Sequence, residues 1–296
     1  MRAFRVAYDG REYAGFQRQP HATTIEGTLL RGLADHDVVT RGDGPTHATP
    51  PSYAAAGRTD AGVSAVAQTV AFEAPDWLTP RAFNGQLPGS IRVWAAADVD
   101  DDFHATHHAV CRTYRYHLYA PPRGESSATG TGRDAGASGV DDAVIDDVLD
   151  RLSGEHDFHN LTSDDRGTIR DLRVTATREG DVLVIEVTAP GFPRALVRRL
   201  VAAVEAVGRG TADPELIDRL LDPEPVAGEH GVGPAPAEPL VLWNVEYDGV
   251  GFAVDAAAAA SAREFFGERY RDARHAAATT GAIRDLMRSR ITNTET

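Results

Sequence analysis

Two kinds of hydrophobic spacing alternate along this chain, and their order constrains the fold more than any other feature. Apolar residues at every second position predict strands; apolar residues three and four apart predict helices. "AFRVAYDG" reads as a strand ending in a Tyr-Asp-Gly turn. "TTIEGTLLRGLADH" predicts a helix with Ile25, Leu29 and Leu33 in one stripe and Thr23 and Glu26 as a capping box. A strand then places Val66, Val70 and Phe72 on one face, and "SIRVWAAADV" predicts another. The sequence repeats the theme. In "CRTYRYHLYA", Tyr114, Tyr116 and Leu118 share one face of a strand, and Thr113, Arg115, His117 and Tyr119 the other. "DDAVIDDVLDRL" predicts a helix and "DLRVTATREGDVLVIEVTA" a hairpin. "PRALVRRLVAAVEAVG" predicts an apolar helix with Pro193 near its first turn and Gly208 near its end. A short helix capped by Asp213, two closing strands in "LVLWNVEYDGVGFAV" and a fraying Ala/Arg helical tail from Ala256 complete the chain. Residues 41–53, 120–140 and 223–239 have loop composition, and 120–140 reads as a flexible insertion. Strand, helix and further strands, met twice, give an α+β architecture.

Composition narrows the function classes. The 296 residues, 42% hydrophobic, suffice for one large domain or two medium ones. No apolar run reaches the roughly 18 residues of a membrane helix, and the first residues lack the apolar stretch of a signal peptide. Cys111 is the single cysteine, so neither an intrachain disulfide nor a cysteine-built zinc site is available. A cytoplasmic enzyme or binding protein is expected. The formal net charge is -14, and all thirty basic residues are Arg. In dilute salt such acidity argues against a nucleic-acid partner. An acidic, Lys-free chain also suits a halophile. In about 1 M salt the Debye length is only about 3 Å, so the net charge says little about partners. A GC-rich genome would also exchange Lys for Arg.

The stretch "AGRTDAGVSAVAQ", 56–68, carries the chemistry question. Gly57 and Gly62 bracket Arg58 and Asp60, and a strand follows. Taken alone, the pattern is either a surface turn with a solvated ion pair or an aspartate held ready to act as nucleophile or base. "GRGTAD" at 208–213 falls short of a phosphate-binding loop.

Five stretches together resemble the tRNA pseudouridine synthase A family: "YDGREYAGFQRQP" (8–20), "AGRTDAGVSAVAQTVAFE" (56–73), "FNGQLPGSIRV" (83–93), "DDFHATHHAVCRTYRYHLY" (101–119) and "GFPRALVRRLVAAVEAVGRG" (191–210). The resemblance runs from Arg2 to Asp255, and Gly-Arg-Thr-Asp-Ala-Gly is its most specific string. The chain departs from the family at Ser64, where His is usual, at Phe16, where Trp is usual, and at "FPRALVR", where a bulkier run stands. The resemblance implies two related α+β halves, about 1–105 and 106–255, sharing a continuous, mostly antiparallel sheet flanked by helices, with the active cleft between them. It implies a homodimer acting on tRNA without a cofactor and forming pseudouridine in the anticodon stem-loop, around positions 38 to 40.

That reaction breaks the N1–C1′ bond of uridine, turns the base and joins C5 to C1′. The nucleotide must leave its stack, and the detached uracil must be held. Asp60 is the expected catalytic carboxylate, attacking C6, attacking C1′ or abstracting a sugar proton. Arg198 corresponds to the family arginine that pairs with it, and a cation beside a carboxylate favours the charged form. Arg58 would fill the space of the flipped base or grip a phosphate. Tyr114 would stack on uracil, with Tyr116 on the same strand face as the alternative. His104, His107 and His108 read as an RNA-contacting or solvated loop before a strand, not as a metal site. Two other classes stay open: an inert tRNA-binding or folding protein on this scaffold, and an aspartate-dependent hydrolase, which would need a second positioned carboxylate or a metal.

The excess of 44 acidic over 30 basic residues sets a first expectation. Folding should be most stable near molar salt, where self-repulsion is screened. Thermal melts followed by circular dichroism across a salt series check this; a maximum near 0.1 M, where the Debye length is about 10 Å, refutes it.

Overall fold

The computed structural model describes residues 1–40, 48–123, 139–227 and 231–292. Most of the expected insertion at 120–140 lies outside the described residues, as does the first part of the 41–53 loop. The order of elements is strand β1 (Arg2–Tyr8), helix α1 (Ile25–Asp35), β2 (Ala54–Ala55), β3 (Ser64–Phe72), α2 (Pro80–Asn84), β4 (Ile91–Asp98) and β5 (Ala109–Tyr119). Then come α3 (Asp142–Leu152), β6 (Gly154–Asp157), β7 (Ile169–Glu179), β8 (Val182–Ala189), α4 (Leu196–Gly208), α5 (Glu215–Leu221), β9 (Leu240–Tyr247), β10 (Ala253–Val254) and α6 (Ala256–Thr292).

The strands join into one sheet in the order β10-β4-β1-β3-β9-β5-β8-β7-β6, with β2 added beside β3. Neighbours run antiparallel except at one seam. There β3 and β9 pair in parallel through two residue pairs, Ser64 with Val241 and Ala65 with Leu242. Across β9, Leu242 pairs with Tyr114 of β5. The chain enters β3 directly from the Gly57–Gly62 segment, so the motif and Tyr114 reach the same short seam from opposite sides. The α+β sheet flanked by helices agrees with the sequence reading.

Two apolar clusters form the core. One gathers Phe4, Val6, Tyr8, Phe72 and Phe83 with Leu29 and Leu33 of α1. The other gathers Tyr116, Leu118, Ile185 and Val187 with residues of α3, α4 and α5. At about 25 cal/mol per Å2 of apolar area, such burial is the main stabilising contribution. Tyr114 touches both clusters.

Local chemistry shifts several expected boundaries. Helix α1 is capped by Thr24, whose hydroxyl accepts from Gly27 N at 3.2 Å, and not by Thr23. Glu26 then stands one position too early for a capping box and accepts from Arg18 N at 2.8 Å instead. Val66 does not share a face with Val70 and Phe72. The pairing of β1 with β3 slips between Val6 and Tyr8, a bulge that turns Val66 toward a groove beneath α6. Asp213 does not cap α5, whose first residue follows Pro214; its carboxylate pairs with Arg219 at 3.2 Å. Helix α4 starts at Leu196, after Ala195 in the left-handed region at φ 56°, so Pro193 lies before the helix, its carbonyl accepting from Leu196 N at 3.3 Å. The tail is one continuous helix over the described residues, Ala256–Thr292. Asp255 caps its first turn, and Phe265 packs against Gly89.

Candidate active site

The segment carrying Arg58 and Asp60 is tied to both of its flanking walls. Gln68 of β3 donates its side-chain N–H to Gly57 O at 2.9 Å. Phe16 N donates to Thr59 O at 3.0 Å, and the hydroxyls of Thr59 and Tyr8 share a hydrogen bond of 2.8 Å. Thr59, Tyr8 and Gln68 are all buried, so these bonds are shielded from water. With Thr59 turned inward, alternation turns Arg58 and Asp60 the other way. Gly62, at φ 84°, closes the segment in a conformation that favours glycine. Gly57 has ordinary backbone angles and open space around its α-carbon, so the need for glycine is confined to Gly62.

Arg58 and Asp60 line a cleft of about 590 Å3, within the usual range for ligand sites. Its other walls are the Phe16–Gln17 turn, the loop with His104 and Thr106, Tyr114, and the start of α4. Asp60 Oδ2 accepts from a guanidinium nitrogen of Arg198 at 3.2 Å. Arg198 is itself held by a 2.7 Å bond from its Nε to Ala235 O. The side chain of Arg198 is 18% exposed and that of Asp60 40% exposed, so the pair is anchored yet the carboxylate stays accessible. Arg58 is exposed and makes no hydrogen bond or ion pair with any described residue.

Tyr114 lies between the two cores, its ring edge-on to Phe192 at 5.0 Å. Burial pushes its hydroxyl pKa up to about 12, Arg112 pulling it down and Asp60 pushing it up. It remains a neutral phenol at any ordinary pH. Tyr116, two residues on, does not join the site. Opposite Leu240 of β9, the Tyr116 ring is 2% exposed in the second core, outside the cleft lining. His104 joins the cleft wall, while His107 and His108 stand exposed beside it.

The residue missed in the sequence is Arg112. Its guanidinium donates to Ala56 O at 2.8 Å, to Thr106 O at 2.7 Å and to Pro190 O at 2.5 Å. These carbonyls belong to the lead-ins of three cleft walls: the Asp60 segment, the His104 loop and the Phe192–Arg198 stretch. A signal for it existed, since Arg112 shares its strand parity with Tyr114. The family departures also have local accounts. Ser64 spends its hydroxyl accepting from Gly10 N at 3.0 Å, and Phe16 is buried beside Tyr8.

Replacing Arg112 with Met keeps the stem and deletes all three bonds. The expected cost is about 2–4 kcal/mol, since each lost bond leaves a carbonyl to be resolvated. Arg112→Lys should recover less than half, because an ammonium cannot span three acceptors in the planar fork. Urea denaturation at fixed high salt measures both; losses below about 0.5 kcal/mol, the scale of ordinary surface substitutions, refute the clasp.

Comparison with known proteins bears on this arrangement. A family model described as tRNA pseudouridine synthase matches residues 148–248. The chain is 52% identical to the tRNA pseudouridine synthase A of Haloarcula marismortui, over 96% of its own length and 99% of that protein's. It is 54% identical to that of Natronomonas pharaonis over 96% and 98%, and 35% identical to that of Thermococcus kodakarensis over 94% and 97%. At these identities over nearly complete chains, the protein belongs to the tRNA pseudouridine synthase A family.

Proposed function

We propose that this protein converts uridine to pseudouridine in tRNA, in the anticodon stem-loop around positions 38 to 40, with Asp60 as its essential group and without a cofactor. The observation that carries the reading is the Asp60–Arg198 pair beside Tyr114 in an open cleft. A purely structural ion pair has no need of a carboxylate that is 40% exposed in a cavity large enough for a nucleotide.

The chemistry assigns each group a task. The N1–C1′ bond breaks, the uracil turns, and C5 bonds to C1′; the C5 hydrogen leaves to solvent and N1 regains a proton. Asp60 acts on C6, on C1′ or on a sugar proton. Each role needs a carboxylate held still, which Arg198 and the buried Thr59 anchor provide. Tyr114 stacks on the detached uracil; with a hydroxyl pKa near 12 it contributes its ring rather than a proton. Arg58, unpaired and exposed at the cleft, takes the space of the flipped base or grips its phosphate. The rest of the reading is a cytoplasmic, salt-adapted homodimer of two related α+β halves, with tRNA spanning both protomers. An inert tRNA-binding protein is the competing reading, and the accessible carboxylate weighs against it.

Asp60→Asn and Asp60→Ala should bind tRNA nearly as the parent does and form no pseudouridine. Tritium release from C5-labelled uridine in tRNA, at high enzyme, measures this; more than a few per cent of the parent rate makes Asp60 structural. Tyr114→Phe should retain far more activity than Tyr114→Leu. Equal loss in both would assign the work to the phenolic oxygen.

A further inference from the structure

His104 and His107, which the sequence reads as part of an RNA-contacting or solvated loop, carry no step of the reaction above, and their loop is held to the cleft by several contacts. Phe103 packs on Tyr247 with ring centres 5.2 Å apart, and the Tyr247 hydroxyl donates to Ala105 O at 2.7 Å. The Thr106 hydroxyl donates to Ala55 O at 2.5 Å, and Arg112 holds Thr106 O. Inside the loop, His104 Nδ1 accepts from Thr106 N at 3.2 Å, and His108 Nδ1 accepts from His104 N at 3.3 Å. A ring nitrogen that accepts a backbone N–H carries no proton, so the contact from Thr106 N places the His104 ring proton on Nε2. Burial first, then His107 and His108, hold the pKa of His104 below its ordinary value. The His107 ring lies against that of His104, centres 4.1 Å apart and planes 33° from parallel.

We propose that the His104–His107 pair is a stacking platform for a nucleobase of the RNA next to the flipped uridine. The proposal rests on the reading of the protein as a tRNA-modifying enzyme and extends it to a second contact. A phosphate is the wrong ligand for this pair. It would favour a protonated ring, and protonating His104 Nδ1 removes the acceptor that Thr106 N uses in the turn. A neutral ring in a rigid loop offers a π-face instead, the element that single-stranded RNA uses sequence-tolerantly. Stacking also suits a chain of net charge -14, because it does not depend on counterion release.

The test measures affinity for an unmodified tRNA transcript at two salt concentrations, with Asp60→Asn as the parent so that binding is read without turnover. His104→Ala should weaken binding about tenfold, as loss of one base stack does, with the salt dependence unchanged. His107→Ala should weaken it about threefold; His107 makes no hydrogen bond in the turn, so this variant keeps the loop intact. His104→Phe, which keeps a ring, should bind better than His104→Ala. If both alanine variants bind within twofold of the parent, or if His104→Ala lowers the salt slope by about one, the platform is refuted. A parent that fails to bind tRNA refutes the tRNA reading itself, and this inference with it.

Discussion

One guanidinium holds the cleft in shape. The three walls that Arg112 joins come from distant parts of the chain: Ala56 precedes the Asp60 segment, Thr106 sits beside His104, and Pro190 precedes Phe192 and α4. Each is an irregular segment with few backbone partners of its own. Without a common anchor they would depend on the ordering of three separate loops, each at an entropic cost of about 1–2 kcal/mol per residue fixed. Arg suits this position because its five donors lie in one plane, pre-set to meet several carbonyls at once. The Thr59–Tyr8 bond and the Arg198–Ala235 bond then orient the two charged partners within that frame.

The periodic parts of the fold were legible in the sequence because period is a local property. The amphipathic stripe of α1, the Glu-Gly-Asp turn between β7 and β8 and the alternating β5 all follow from residues close together in the chain. What escaped was set by partners far away. The Val66 bulge comes from a slip against β1. Thr24 outcompetes Thr23 as cap because Gly15 O takes Ile25 N and Phe16 O takes Glu26 N, which fixes the first turn. Tyr116 shares parity with Tyr114, but parity does not tell which of two rings meets a cavity and which meets a core. Asp60 and Arg198 were legible through the family resemblance, not through spacing: 138 residues separate them. Arg112 shares strand parity with Tyr114, but parity does not tell that its donors meet three backbone carbonyls from distant segments.

Charge is distributed to match these demands. Several described ion pairs join half-exposed side chains, such as Arg219 with Asp213 or Arg284 with Asp285. Such pairs contribute little individually and less in salt. Three arginines around the cleft behave differently. Arg112, Arg198 and Arg199 spend donors on part-buried backbone carbonyls at 2.7–2.8 Å, contacts that salt screens less than exposed pairs. Arg5, buried at the rear of the sheet, does the same with Val245 O and Ala67 O and lies over the Phe252 ring at 4.2 Å. A lysine at these sites would offer a point charge where a fork is needed.

The parallel seam of two residue pairs has a mechanical consequence. Asp60 precedes β3 on one side of it, and Arg198 rides on α4, packed in the core on the other. The 3.2 Å ion pair therefore bridges a joint whose backbone attachment is short. Two stretches 138 residues apart are thereby fastened side to side, and the charged pair ties the entry of β3 to α4 at the place where the strands themselves share only Ser64–Val241 and Ala65–Leu242.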